Sequence, residues 1–170
     1  MLIHIDRSAT ADVLSRTTTA RSSHTALENL LLAHFEGNHI LSLLPDDAAA
    51  LKNASPPWSD RARRALEHVE ENYPQIAGVR WELPWTMELG LGPKYDGKAH
   101  REPSFGTIIR AQLHTFEKAH TAHCAILLGE NMTDADFFRE LVSHAAPRVD
   151  GKVDLVCEPR GGGGSTMAQE

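Results

Sequence analysis

At 170 residues, 41% hydrophobic and 24% charged, the chain is long enough to bury a core and is composed like an ordinary globular domain. Its formal charge of −6 excludes a protein that holds nucleic acid by bulk charge, leaving only a local basic patch for that role. No apolar run approaches the roughly 20 residues a membrane-spanning helix needs, Met1 to Ile5 is too short for a signal-peptide core, and two cysteines make no disulfide framework.

In chain order, Leu2 to Ile5 reads as a short first strand closed by Asp6, and Thr10 to Thr25, rich in Ser, Thr and Arg, reads as mostly loop. Ala26 to Phe35 sets Leu27, Leu30, Leu31, His34 and Phe35 on one helical face, with Gly37 and Asn38 as its stop. His39 to Leu44 is an apolar run that fits either strand or helix. Pro45, Asp46 and Asp47 suit the first turn of a short helix through Leu51. Asn53 to Pro57 has the composition of a linker. Ser59 then caps a helix to Tyr73, stopped by Pro74, whose stripe Ala62, Ala65, Leu66 and Val69 faces inward. The opposite face, with Arg61, Arg63, Arg64, Glu67, Glu70 and Glu71, reads as solvated surface.

From Gln75 to Pro103 prolines and glycines punctuate an irregular stretch, in which Val79, Trp81 and Leu83 alternate like one strand and Asp96 with Gly97 marks a turn. Trp81 and Trp85 suit packing, or stacking on a base. Phe105 to Ala119 returns to helical spacing, with Phe105, Ile108, Ile109, Leu113 and Phe116 inward. Cys124 to Leu128 is a run without a polar residue, as in a strand buried on both faces. Thr133 and Asp136 fit a capping box opening a helix with the stripe Phe137, Phe138, Leu141, Val142 and Ala145, ended by Pro147. Val153 to Cys157 closes a strand–helix–strand unit as a right-handed parallel crossover, with Cys124 and Cys157 at opposite sheet edges, read as reduced core cysteines of a cytoplasmic protein.

These elements predict the α/β class: a small parallel or mixed sheet, a C-terminal βαβ unit and a largely helical N-terminal half. The organisation is one domain over 1–170, with a mostly helical part at 1–74, an irregular region at 75–103, and a helix plus the βαβ unit with its glycine-rich turn at 104–165.

Ligands of open α/β sheets bind beyond the carboxyl ends of the strands. That edge carries Gly129, Glu130 and Asn131 after one strand, and Glu158 with a glycine turn after the other. Glu130, Asp134 and Asp136 can offer oxygens to a hard cation such as Mg²⁺, although acids in a first helical turn also serve to complement the helix dipole. Gly161, Gly162, Gly163 and Gly164 followed by Ser165 can turn consecutive backbone N–H groups toward an anion, and have equally the composition of a flexible linker. The lysine of a P-loop is absent, and no helix pattern follows for a dinucleotide fingerprint. His114, His120, His123 and Cys124 match no standard zinc spacing, and no G-x-S-x-G turn anchors a serine nucleophile.

The run ILLGENMTDADFF, a helix, then VDLVCEPRGGGG resembles the opening half of a TOPRIM domain as found in OLD-like nucleases and related phage-defence proteins. The resemblance covers the last quarter of the chain. It implies a magnesium-dependent nuclease module acting on nucleic acid, with Glu130 as metal-binding or acid/base glutamate, Asp134 as the following acid and Gly161 to Gly164 as the glycine stretch. Here Gly129 precedes Glu130, where the family more often has glycine after it. The family's later Asp-x-Asp strand would lie beyond Glu170, so the resemblance predicts an incomplete centre, completed by a protein partner or a second chain. The alternative expectation is a non-catalytic accessory or protein-binding subunit.

Overall fold

The computed structural model describes residues 1–15, 17, 20–80, 82–103, 106–122, 125–129 and 157–161, and the chain divides into two compact units, Met1–His123 and Cys124–Glu170. The α/β class holds. The first unit runs β1 (Leu2–Ile5), α1 (Arg7–Leu14), α2 (Ala20–Phe35), β2 (Ile40–Ser42), α3 (Pro45–Leu51), α4 (Asp60–Glu71), α5 (Tyr73–Val79), β3 (Trp85–Gly90), β4 (Lys98–Glu102) and β5 (Gly106–Gln112). Two 3₁₀ turns, Leu113–Phe116 and Ala119–Ala122, follow.

The strands form one sheet in the order β2-β1-β3-β5-β4, parallel except for β4, which pairs antiparallel with β5 at the edge. Residues in register share a face, because side chains alternate along each strand. Ile3, Ile5, Leu41, Leu43 and Leu89 point to a face covered by Ala9 and Val13 of α1, Leu27, Leu30 and Leu31 of α2, Leu51 of α3, and Leu66 and Val69 of α4, all buried in one cluster. The other face carries a polar residue from every strand in a single row: Ser42, His4, Glu88, Arg110 and Lys98. This asymmetry positions the site described below.

Local chemistry explains several boundaries. Gly37 ends α2 at φ 81°, with the Gly37 amide on the His34 carbonyl and the Asn38 amide on that of Ala33, the paired bonds of a Schellman motif. Ser59 caps α4 through the Ala62 amide, and the buried residues of α4 are Ala62, Ala65, Leu66 and Val69, as the spacing predicts. Asn53 to Pro57, a linker by composition, leads into Trp58, which is pinned: its Nε1 donates to the Leu51 carbonyl and its ring stacks on His24 at 3.9 Å between centroids.

Other expectations fail. The stretch Thr10 to Thr25 is not loop: α1 covers its start and α2 begins at Ala20, with Thr10, Ser23 and His24 buried beside alanines where the periodicity rule looks for large apolar side chains. Phe35 does not share the buried face of α2 but is 47% exposed. Pro74 stops nothing; it sits in the first turn of α5, where its missing N–H costs no hydrogen bond. Val79 closes that helix, and the strand of this region is β3, six residues further on. The helix expected over Phe105 to Ala119 is instead β5, hydrogen-bonded between β3 and β4, followed by 3₁₀ turns.

In the second unit, β6 (Ala125–Gly129) and β7 (Cys157–Gly161) pair in parallel, as expected of strands joined by a crossover. The second strand is described over Cys157–Gly161, with Cys157 in register with Ala125; it runs past the predicted end at Cys157, and Val153 to Val156 lie outside the described residues. Cys157 is therefore level with the start of β6, which removes the placement of the two cysteines at opposite edges. The helix predicted between them lies outside the described residues, as does Cys124. Pro159 lies within β7; proline cannot donate to a ladder, and among the described residues β7 pairs on one side only, with β6.

Candidate functional site

Strand order places β1 between β2 and β3, so the chain continues from β1 toward β2 on one side and from β3 toward β5 and β4 on the other, the kind of switch in strand order beyond whose carboxyl ends open α/β sheets bind ligands. Asp6 stands at that point. Its amide donates to the Leu89 carbonyl at 2.8 Å, extending the ladder by one residue. Its Oδ1 then accepts from the Ser8 amide at 2.8 Å and the Ser8 hydroxyl at 2.6 Å, capping α1. The Leu91 amide donates to Ser8 Oγ at 3.1 Å, so the end of β3 is tied to the start of α1 through one serine.

Glu88, 8% exposed, lies one row below. Its Oε2 faces Arg110 Nε at 3.8 Å and Arg80 Nη2 at 3.9 Å, while Oε1 faces Lys94 Nζ at 3.6 Å and accepts from the Tyr95 hydroxyl at 3.4 Å. Lys94 Nζ also reaches Asp6 Oδ2 at 3.4 Å and lies 4.7 Å from the centroid of the Tyr95 ring. Arg110 is shared with Glu102 through a 2.7 Å bond from Nη2. Tyr95 is buried against Gly90, where any Cβ would overlap its ring. Gly92 and Gly97 bound its loop at φ 101° and 78°, and Gln112 Nε2 holds the Gly92 carbonyl at 2.7 Å.

The protonation pattern follows. Partial burial pushes the Asp6 carboxyl up, but the Ser8 hydroxyl and amide, Tyr95 and Lys94 together bring it down to about 2, so it is ionised. Burial raises the Tyr95 phenol, which remains a donor to Glu88. Burial, aided by Arg80, lowers His4, whose neutral ring contacts the Ser42 hydroxyl at 3.3 Å. Lys94 thus bridges two carboxylates in the place a divalent cation would take, and Glu88 is matched by three cations. The cluster clamps the ends of β1, β3 and β5 together and leaves its lysine half exposed to solvent.

Of the residues the sequence singles out, Gly161 is the last of β7 and pairs with Gly129, a strand position and not the first of a turn. Glu130, Asp134, Asp136, Gly162, Gly163, Gly164 and Ser165 lie outside the described residues, as do Trp81, His123 and Cys124. His114 and His120 are both exposed and sit in separate 3₁₀ turns, and no group of three His, Cys, Asp or Glu able to hold a metal occurs among the described residues. The cluster around Glu88 has no sequence signal beyond Asp6 at the end of β1, because its members lie up to 104 positions apart and only the sheet brings them together. No helix among the described residues is long and apolar enough to cross a membrane. No protein-family model matches the chain, and no curated protein or solved structure is similar enough to it to count as a match.

Proposed function

We propose that the second unit is a Mg²⁺-dependent nuclease-type module of TOPRIM-like form, acting on nucleic acid in a phage-defence setting. The observation that supports the reading is the register of β6 and β7: Gly129 lies opposite Gly161, so two parallel strands end level. The sequence continues with Glu130 after the first and Gly162 after the second. Glu130 is assigned as principal metal ligand or proton-transfer group, Asp134 and Asp136 as its support, and Gly161 to Ser165 as the segment that receives a phosphate. The donor set consists of carboxylate oxygens, which suits a hard cation. A bound Mg²⁺ would neutralise charge on a phosphodiester during cleavage. Three carboxylates do not fill an octahedron, so water, substrate, a protein partner or a second chain supplies the rest.

The alternative is a non-catalytic accessory or protein-binding subunit. It is favoured by the first unit, where Asp6 and Glu88 are neutralised by cations of the chain itself.

Incubation with plasmid and single-stranded DNA in Mg²⁺ or Mn²⁺, beside Glu130→Gln, tests the proposal. Cleavage lost in the variant supports it, and equal cleavage by both proteins removes it. If neither cleaves, calorimetric titration with Mg²⁺ decides: heat that disappears in Glu130→Gln supports a metal site completed by a partner, and no heat favours the accessory subunit.

A further inference from the structure

We propose that His34 of α2 and His68 of α4 form a two-histidine site for a borderline transition-metal ion, Cu²⁺, Zn²⁺ or Ni²⁺, on the first unit. His34 Nε2 and His68 Nδ1 are 3.1 Å apart. Two nitrogens each about 2.0–2.1 Å from one ion are about 3.3 Å apart at a tetrahedral angle and about 2.9 Å apart at a right angle. The observed spacing lies between these values, so one ion can bridge both rings while the helices stay in place. The rings, 5.2 Å apart between centroids and tilted by 46°, need only turn about their own side-chain bonds.

The surroundings support a ligand role. His34 Nδ1 lies 3.0 Å from the His39 carbonyl, and that contact places the hydrogen on Nδ1, leaving Nε2 with its lone pair toward His68. A metal-bound histidine commonly has this support, its second nitrogen donating to a backbone carbonyl that fixes ring and tautomer. The Leu41 amide also lies 3.4 Å from Nδ1, a longer contact that a protonated Nδ1 opposes, so the His39 carbonyl sets the tautomer. His68 is exposed and moves its proton to Nε2 when Nδ1 takes the metal.

The rings border a cavity of about 320 Å³ lined also by Phe35, Arg64 and Ala65, which leaves room for the solvent or anionic ligands that complete the coordination. Exposed Phe35, out of place as a core residue, walls this cavity. Arg64 contributes positive charge beside the rings. That opposes any cation, so the ion must be one whose bond to imidazole is strong, and with no carboxylate among the lining residues the site does not suit Mg²⁺ or Ca²⁺, which need several anionic oxygens. The site thus belongs to the first unit and differs in chemistry from the centre proposed for the second.

The test is calorimetric titration of the untagged protein with Cu²⁺ and Zn²⁺, beside His68→Gln and His120→Gln. Electron paramagnetic resonance of the Cu²⁺ adduct at one equivalent counts nitrogen ligands. The expected result is one Cu²⁺ equivalent bound with two nitrogens. In H68Q its affinity falls at least tenfold and one nitrogen is lost, while H120Q behaves as the parent. His68 is exposed, so the variant folds, which the circular dichroism of the metal-free protein checks. Unchanged affinity in H68Q, equal loss in H120Q, or a Cu²⁺ spectrum independent of His68 overturns the assignment.

Discussion

Gly90→Ala probes the clamp at the carboxyl edge most sharply, because the two forces at that position have opposite signs. Gly90 is not among the glycines of positive φ, so its backbone accepts alanine. On backbone grounds alone, the substitution stabilises by about 0.4–1 kcal/mol through the unfolded chain. A Cβ built there, however, falls 2.1 Å from Tyr95 Cζ and 2.4 Å from Cε2 and Oη. Carbon atoms settle at about 3.5–4.0 Å, so the ring must retreat by more than an ångström. Tyr95 is 1% exposed and bonded to Glu88, with Lys94 over its face, so retreat means overpacking of about 1–3 kcal/mol and loss of a hydrogen bond of about 1 kcal/mol. The net expectation is destabilisation of about 1–3 kcal/mol. It is measured by urea unfolding of G90A, Tyr95→Ala and the double variant. In the Tyr95→Ala background the alanine at 90 should cost nothing or stabilise. A neutral or stabilising G90A in the parent background, or strictly additive effects in the cycle, refutes the packing of Tyr95 across β3.

Three further outcomes follow from the same structure. Asp6→Asn keeps the cap and removes the charge; since the folded carboxyl titrates near 2 against an ordinary 3.8, its contribution is present above pH 4 and lost as pH falls toward 2, so the variant should flatten that acid limb by about 1 kcal/mol after solvent screening, read by unfolding between pH 5 and 2. Glu88→Gln leaves Arg80, Lys94 and Arg110 without their common counter-charge, and should cost about 1–3 kcal/mol by denaturant unfolding, with faster proteolysis in the 91–97 loop. Leu66→Ala, at a fully buried position on the helix that packs on α2 and α3, should cost about 2–5 kcal/mol in urea, while Arg61→Ala on the exposed face of the same helix should stay within about 0.5 kcal/mol.

What could be read from the residues divides along physical lines. α3 and α4 are legible because proline and acids at one start, Ser59 at the other, and the stripe of α4 all act locally. β1 is legible as an apolar run cut by its cap. β5 is not: Ile108 and Ile109 are adjacent, so the alternation is blurred, and with Phe105, Leu113 and Phe116 the apolar positions mimic a helix. The deciding fact is partnership with Trp85 to Gly90, some twenty residues earlier, which no local pattern contains. α1 and the start of α2 hide for another reason: apart from Val13, their buried faces use Ala, Thr, Ser and His, which give a periodicity of large apolar side chains little to register. The clamp at Glu88 is a non-local object assembled from β1, β3, β5 and two loops, and the two histidines likewise meet only because α2 packs on α4.

Acids at strand ends are by themselves a poor guide to a metal centre, and the first unit shows why. Asp6 and Glu88 stand where the ligands of a divalent ion would stand, at the carboxyl edge between β1 and β3. Yet Lys94 lies within 3.4 Å of one and 3.6 Å of the other, with Arg80 and Arg110 behind. A Mg²⁺ ion entering there would have to displace the ammonium and face two guanidiniums, at a Coulomb cost of about 4 kcal/mol for each pair of unit charges at 4 Å under an effective dielectric of 20. The sheet has therefore settled its own charge. The segment after β6 differs in composition: Glu130, Asp134 and Asp136 occur with no Lys or Arg before Arg139. Such a run has no counter-cation in its immediate sequence, so its charge is left either to a residue distant in sequence, as Lys94 serves Asp6, or to a bound cation. That contrast is the reason to look for Mg²⁺ in the second unit and not at the better-formed acid pair of the first.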